Sequence, residues 1–411
     1  MKSNGCHVVF VESNGSYGRE MVRTALEHGL AVTVLAGEPE RFHEQGSMGA
    51  ELVRCDTRSV PAVLETVGRL PGPGCSGVLA GYEMVLPVAA TVARILGLPG
   101  PDPVAAQDTL HKHRARALSN QLVGNPVDFW LLDTPDEVER IAESEYPLLA
   151  KPAASGGSLG VRSVASSEEL ARYVAEWKNA PDERGVPLEG PVLVERVVTG
   201  GELSVELFHG VPVAVSYKEL SGDTGFVESG HTVLPWTEAV ERKELEPYLA
   251  LLTERLGTGW GPAHVELRLD GSSTPRLIEV NHRLGGDHIP LLVRLVTGFD
   301  MYTATLRAAL GERVTPEVGG GGEAVIRYLM AEHEGTFREV RGLESVRAMP
   351  GVHDVVISRE EGARVRPPVD SGDRVGHLIA HSAEGLGAVR TAQRALEKLL
   401  LLVERETEKS R

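Results

Sequence analysis

A chain of 411 residues with 42% hydrophobic and 24% charged residues is long enough for two or three domains with buried cores and is not composed like a disordered protein. Its formal net charge of −16 repels polyanions over most of the surface, which argues against nucleic acid or an anionic membrane as partner. The cysteines, Cys6, Cys55 and Cys75, have no metal-like spacing, Asn4, Gly5 and His7 interrupt any N-terminal apolar run, and the apolar cluster Leu399 to Val403 is too short to span a bilayer, so a cytoplasmic protein is expected.

From His7 to about Leu98, the β-rich runs His7 to Val11, Ala31 to Leu35, Glu51 to Cys55 and Gly77 to Ala80 alternate with helical periodicity, which predicts a doubly wound α/β unit. The turn Ser13-Asn14-Gly15-Ser16-Tyr17-Gly18 follows the first strand, and Glu38 lies 20 residues beyond Gly18. Ser13 stands where a dinucleotide fingerprint has its first glycine, so the turn is read as one that can bind substrate, with an NAD(P)-dependent oxidoreductase as a remote alternative. The Pro/Gly-dense stretch Gly97 to Pro103 ends this unit.

A helix is expected over Ala105 to Leu122, then strands near Pro126 to Leu131, Pro147 to Lys151 and Val161 to Val164, a small α+β module that the segment Pro181 to Pro191 closes before the β-run Val192 to Val198. Long alternating strands follow, including Glu202 to Phe208, His264 to Leu269 and Arg276 to Asn281. Gly319 to Gly322 marks a hinge, and an amphipathic helix is expected from Gly387 to about Glu404. The expected division is 1–100, 101–198, 199–320 and 321–411, with no internal repeat.

The most informative segment is the alternating pair His264 to Asp270 and Pro275 to Asn281, which predicts a β-hairpin around the loop Gly271 to Thr274. That register sets Glu266 opposite Glu279 and His264 opposite Asn281. Like charges directly across a strand pair are destabilising unless neutralised, and oxygen donors from Glu266, Glu279 and Asn281 suit magnesium better than zinc. Arg283, just beyond, is well placed for a phosphate or carboxylate, and Gly285-Gly286 is backbone that a ligand can approach closely.

A buried run, Pro147 to Ala150, ends in Lys151 and is followed by a loop containing Ser155, Gly156, Gly157 and Ser158. Such a loop exposes N–H groups as an anion cradle, though the lysine-first order is not that of a P-loop and a plain hairpin linker has the same composition. Lys112 lies in the basic run His111 to Arg116, which taken alone reads as a solvated helix face. Glu202, Ser204 and Glu206 share one face of a strand that follows a Gly200-Gly201 break, as a purine-binding hinge or a half-exposed edge strand would.

Taken in order, these elements resemble the ATP-grasp superfamily, and within it the carboxylate–amine ligases that make dipeptides and related amides. The resemblance covers nearly the whole chain, most specifically His264 to Gly286 and least in the last hundred residues. It implies an N-terminal Rossmann-like domain, a small mobile lid and a C-terminal mixed α+β domain. It also implies that Lys112 and Lys151 contact ATP phosphates under the loop Ser155 to Ser158, and that Glu195, Arg196 and Val198 line the adenine hinge with Glu202 on the ribose. Glu266, Glu279 and Asn281 would hold two magnesium ions, for which manganese can substitute, and Arg283 would stabilise the transferring phosphoryl group and the acyl phosphate.

Within Gly225 to Pro235, Glu228 is a candidate for a substrate ammonium and His231 for a polar or proton-accepting contact, while either also fits a purely structural role. His282 stands where the family usually has proline, which bears on substrate preference. The expected reaction is attack of a substrate carboxylate on the γ-phosphate, then displacement of phosphate by an amine. A carboxylase or purine-type ligase using bicarbonate or formate is the nearest rival, a non-catalytic ATP-binding module a more distant one, and a homodimer the fold-level expectation.

Overall fold

In the computed structural model, which describes residues 5–71, 74–122, 126–178, 180–181, 188, 190–220, 227–269, 275–385 and 387–405, the four N-terminal runs form one parallel sheet. Its strands are β1 (His7–Val11), β2 (Ala31–Ala36), β3 (Glu51–Arg54) and β4 (Gly77–Ala80), in the order β3-β2-β1-β4. Every residue of β1 is buried because both faces are covered. Val8 and Phe10 pack with Tyr17 and Met21 of the helix Gly15–Glu27, while Val9 and Val11 pack with Val63 and Val92 of the helices Val60–Arg69 and Leu86–Ile95.

The second unit is an antiparallel sheet of β5 (Phe129–Leu132), β6 (Leu148–Pro152), β7 (Arg162–Val164) and β8 (Val192–Arg196), ordered β5-β8-β6-β7. The helix Ser167–Trp177 sets Leu170, Tyr173 and Val174 into its core. The remaining strands are β9 (Gly201–Phe208), β10 (Val211–Leu220), β11 (Glu228–Pro235), β12 (Pro262–Leu269), β13 (Arg276–Asn281), β14 (Glu323–Leu329), β15 (Gly335–Arg341), β16 (Val352–Ile357), β17 (Arg364–Val365), β18 (Gly376–Ser382) and β19 (Leu400–Glu404). Eight of them make one antiparallel sheet, β13-β12-β9-β10-β11-β14-β18-β16, and β17-β15-β19 make a small third layer. β9 is central, between β12 and β10, so the edge-strand reading of Glu202 to Phe208 is wrong.

Two helix expectations are also corrected. The helix over 105–122 is two helices, Pro103–Leu110 and Lys112–Asn120, because His111 is extended at φ −90°, ψ 98°. The Asp102 carboxylate caps the first by accepting from the N–H groups of Val104 and Ala105, and the Lys112 N–H leaves the ladder to donate to the Ala153 carbonyl at 2.9 Å. The C-terminal helix stops at Leu396, and Leu400–Glu404 is β19, paired with β15. Leu399, Leu401 and Val403 reach one apolar cluster with Phe337 and Val340, a period of two that local helix propensity could not reveal. Among the described residues no helix is long and apolar enough to cross a membrane.

Candidate active site

The site begins with the β12–β13 hairpin. His264 lies opposite Asn281 and Glu266 opposite Glu279, as the sequence predicts, although the loop 271–274 is outside the described residues. Beyond Glu266 the register shifts, with Leu267 opposite Leu277 and Ile278 left over. This bulge breaks the alternation, so that consecutive residues Ile278 and Glu279 both line the cleft while Leu277 is buried in the core beneath. On the other side of β12, β9 sets Glu202, Ser204 and Glu206 opposite Arg268, Glu266 and His264.

Between this hairpin, strand β10 and the β5–β8 sheet lies a cleft of about 220 Å³. Lys112, Lys151, Ser155, Gly156, Gly157, Ser158, Glu195, Arg196, Val198, Glu202, Glu228, His231, Glu266, Glu279, Asn281, Arg283 and Gly286 all line it. Gly285 is set back from the cleft wall; a Cβ there would stand 3.0 Å from His264 Nδ1 and 3.1 Å from Glu206 Oε2. The break at His111 starts a helix with Lys112, whose Nζ reaches Glu279 Oε2 at 3.0 Å and also donates to the Ser155 carbonyl, tying the glycine loop to the metal hairpin.

Lys151 Nζ lies 2.7 Å from Glu195 Oε2, and Arg116 Nε lies 2.6 Å from Glu195 Oε1. Burial works to raise the Glu195 carboxyl, but Lys151 and then Arg116 outweigh it and bring it down to about 2. The Glu195 side chain therefore anchors two cations and leaves backbone, not carboxylate, to offer at a hinge. Arg196 is turned to solvent, where it meets Asp128 at 2.9 Å. The Glu202 carboxylate, expected on a ribose, is held by Lys218 at 3.0 Å and Arg268 at 2.8 Å, and Arg268 also binds the Val198 carbonyl at 2.7 Å.

Several residues of the cleft were not singled out from the sequence. Lys218 of β10 is buried among Glu266 at 2.9 Å, Glu202 at 3.0 Å and Glu228 at 3.6 Å. His264 joins Glu206, at 2.6 Å from Nδ1, to Glu266, at 3.0 Å from Nε2; burial opposes its protonation, yet Glu206 above all raises it to about 9. Glu83, just after β4, grips Arg283 through Nε at 3.0 Å and through a second guanidinium nitrogen, and Arg283 lies 5.2 Å over the Tyr17 ring. No local pattern marks Lys218 and Glu83, whose partners include residues far away in the chain, while His264 is tied both to Glu266 nearby and to Glu206 on another strand.

His282 points away from the cleft. Its buried ring places Nε2 2.8 Å from the Leu256 carbonyl, at the end of the helix Arg242–Leu256, and burial lowers its pKa to about 4. The departure from proline therefore serves a helix end behind the site.

Glu266, Glu279 and Asn281 fit a magnesium ion by donor chemistry. Two facing carboxylates and an amide are hard oxygen donors, and magnesium usually keeps positions for phosphate oxygens and water. Among the described residues no group of three or more His, Cys, Asp or Glu side chains is arranged to hold a metal by itself. Lysines neutralise these acids: burial alone would raise the Glu266 carboxyl, but Lys218 and His264 hold it well below the usual carboxylate range.

The ATP-grasp domain family matches residues 144–290, and the L-amino acid ligase C-terminal domain 2 family matches residues 327–404. The chain is 28% identical over 403 residues to the uncharacterized protein y4rH of Sinorhizobium fredii, covering 95% of this chain and 82% of that protein. It is 28% identical over 218 residues to a D-alanine–D-alanine ligase of Methylococcus capsulatus, covering 51% of this chain and 64% of that ligase, a match to less than two thirds of the enzyme. The crystal structure of an L-amino acid ligase from Bacillus licheniformis superposes with a TM-score of 0.82 at 24% identity, over 98% of this chain and 100% of that one. That likeness establishes the mixed α/β fold.

Proposed function

We propose, from the premise that the chain is an ATP-grasp protein carrying an L-amino acid ligase C-terminal domain, that it joins a carboxylate to an amine through an acyl phosphate, turning ATP into ADP and phosphate, with an amino acid as one substrate. The observation that carries this reading is convergence: the lysines Lys112 and Lys151, the acids Glu266 and Glu279, and Arg283 come from different parts of the chain and line one cleft.

In this reading Lys112 and Lys151 bind the phosphates of ATP, and the loop from Ser155 to Ser158 covers them and excludes water. Glu266, Glu279 and Asn281 would hold magnesium, which would supply neutralising charge to those phosphates. Arg283 orients the substrate carboxylate, whose oxygen attacks the γ-phosphorus as the bond to ADP breaks. The neutral amine then attacks the acyl carbon, Arg283 stabilises the oxyanion, phosphate leaves, and the amine proton passes to solvent. The adenine faces the backbone at 195–198, and Glu228 and His231 face the amino-acid substrate. The same reading carries the division at residues 100, 198 and 320, a cytoplasmic location, small-molecule partners and a homodimer.

The test is ADP and phosphate release with magnesium over a matrix of amino acids and small carboxylates, singly and in pairs, with mass spectrometry of products. Pair-dependent ADP with a new amide mass is the expected result. AMP release, or turnover with bicarbonate and no amine, overturns the proposal.

A further inference from the structure

One charged cluster enters this cleft from the C-terminal unit. Arg374, between the turn at 371–373 and β18, places NH1 2.7 Å from Asp287 Oδ1 and NH2 3.0 Å from both Glu228 Oε2 and the Glu228 carbonyl. Its guanidinium is buried and lies 3.7 Å over the Tyr328 ring. Arg374 does not itself line the cleft; Asp287, Glu228, His231 and Ser371 do. His231 Nε2 is 2.9 Å from Asp287 Oδ2, and its Nδ1, on a side chain 2% exposed, has no hydrogen-bond partner among the described residues. Asp287 is held at φ +53°, a left-handed conformation that an aspartate keeps when its surroundings over-determine it.

Asp287 and Glu228 share the one guanidinium of Arg374, and Lys218 stands closer to Glu266 and Glu202 than to Glu228. Both carboxylates line the cleft, with side chains 25% and 13% exposed, and so are open to a cationic group that enters it.

We propose that Asp287 and Glu228 together receive a cationic group of the amino-acid substrate, and that Arg374 is the positioning residue that fixes both carboxylates, making the C-terminal unit part of the substrate half of the site. This rests on the ligase reading above. It adds Asp287 as a binding residue and gives the last hundred residues a role in selectivity.

The test is steady-state ADP formation by the full chain with magnesium and ATP, on the amino-acid pair that the wild type turns over, for Arg374→Met, Arg374→Lys and Asp287→Asn. Loss of a charge-assisted contact should raise KM for one amino acid about tenfold or more in Arg374→Met and Asp287→Asn, with KM for ATP within about twofold. Arg374→Lys should fall between, since an ammonium lacks the fork that holds two carboxylates. Replacing that amino acid by its des-amino analogue should cost the wild type more than it costs Asp287→Asn. The near-isosteric Asp287→Asn keeps the test valid if Arg374→Met does not fold. An unchanged amino-acid KM, an equal rise in both KM values, or identical discrimination against the des-amino analogue overturns the proposal and leaves the ligase reading standing. A wild-type chain that forms no ADP with any pair removes the ligase reading, and this site with it.

Discussion

Replacing Glu195 by glutamine keeps the shape of the side chain but removes the one carboxylate set between Lys151 at 2.7 Å and Arg116 at 2.6 Å, where all three side chains are 5% exposed or less. A carboxyl brought from 4.5 to about 2 contributes about 3 kcal/mol at 1.36 kcal/mol per pH unit. Removing one partner of a buried pair costs about 3–5 kcal/mol by independent measure, so the two routes agree. We expect Glu195→Gln to lower the free energy of unfolding by about 3 kcal/mol at pH 7, read from denaturant titrations through the fluorescence of Trp130 and Trp177, which pack on the same small sheet. The sign with pH follows from a depressed carboxyl: the contribution is complete above 4.5 and disappears as pH falls toward 2, so the two proteins should converge in acid. Because Lys151 loses its anchor, KM for ATP should rise as well. A stability change below about 1 kcal/mol with unchanged KM for ATP would show that Glu195 does not hold Lys151 in place.

Three further outcomes are expected. A Cβ at Gly156 would stand 2.3 Å from Glu83 Oε1, so Gly156→Ala should push Glu83 off Arg283 and lower kcat/KM about 100-fold, as misplacement near 1 Å does, whereas wild-type kinetics would show that loop and carboxylate part before chemistry. Chelation of divalent cations should abolish ADP release and manganese should restore part of it, and Glu279→Gln should raise the magnesium concentration at half-maximal rate about tenfold or more; a rate indifferent to chelator would refute the metal assignment. His282 is kept neutral by burial, with its pKa lowered from 6.5 to about 4, so its contribution is complete above pH 6.5 and lost as pH falls toward 4. His282→Gln, which can keep a bond to the Leu256 carbonyl, should flatten that acid loss by up to about 3 kcal/mol, and parallel stability–pH curves would contradict it.

What could be read from the sequence was what repeats locally or pairs across a short turn. The four strands of the first sheet are short β-rich runs between helical stretches, and the opposition of Glu266 to Glu279 follows from two alternating arms about a short loop. The bulge after Glu266 escaped, because Leu277 and Ile278 are equally apolar and nothing local says which is left unpaired. Lys218, Glu83 and Arg374 escaped for a different reason: each meets its partner across the sheet or between units, as Arg283 does with Glu83 across 200 residues. The end of the chain was misread because five consecutive apolar residues fit a helix or a strand equally well until β15 supplies the neighbour.

The arrangement of charge also accounts for how one cleft accommodates so many acids. Glu279 is met by Lys112, Glu266 by Lys218 and His264, and Glu83 by Arg283. Of these cations, Lys112 and Arg283 are assigned above to phosphate and acyl phosphate. Polyphosphate and magnesium arriving together would exchange the Glu279–Lys112 contact for a carboxylate–metal and a lysine–phosphate contact, so that neither buried charge need stand alone. Either component alone would leave one set of charges unmatched. The binding of nucleotide and metal should therefore be mutually reinforcing, each raising the affinity for the other by the same factor. Titrating nucleotide at several magnesium concentrations measures that factor, and equal affinities with and without the ion, after correction for the metal complex formed in solution, would refute the exchange.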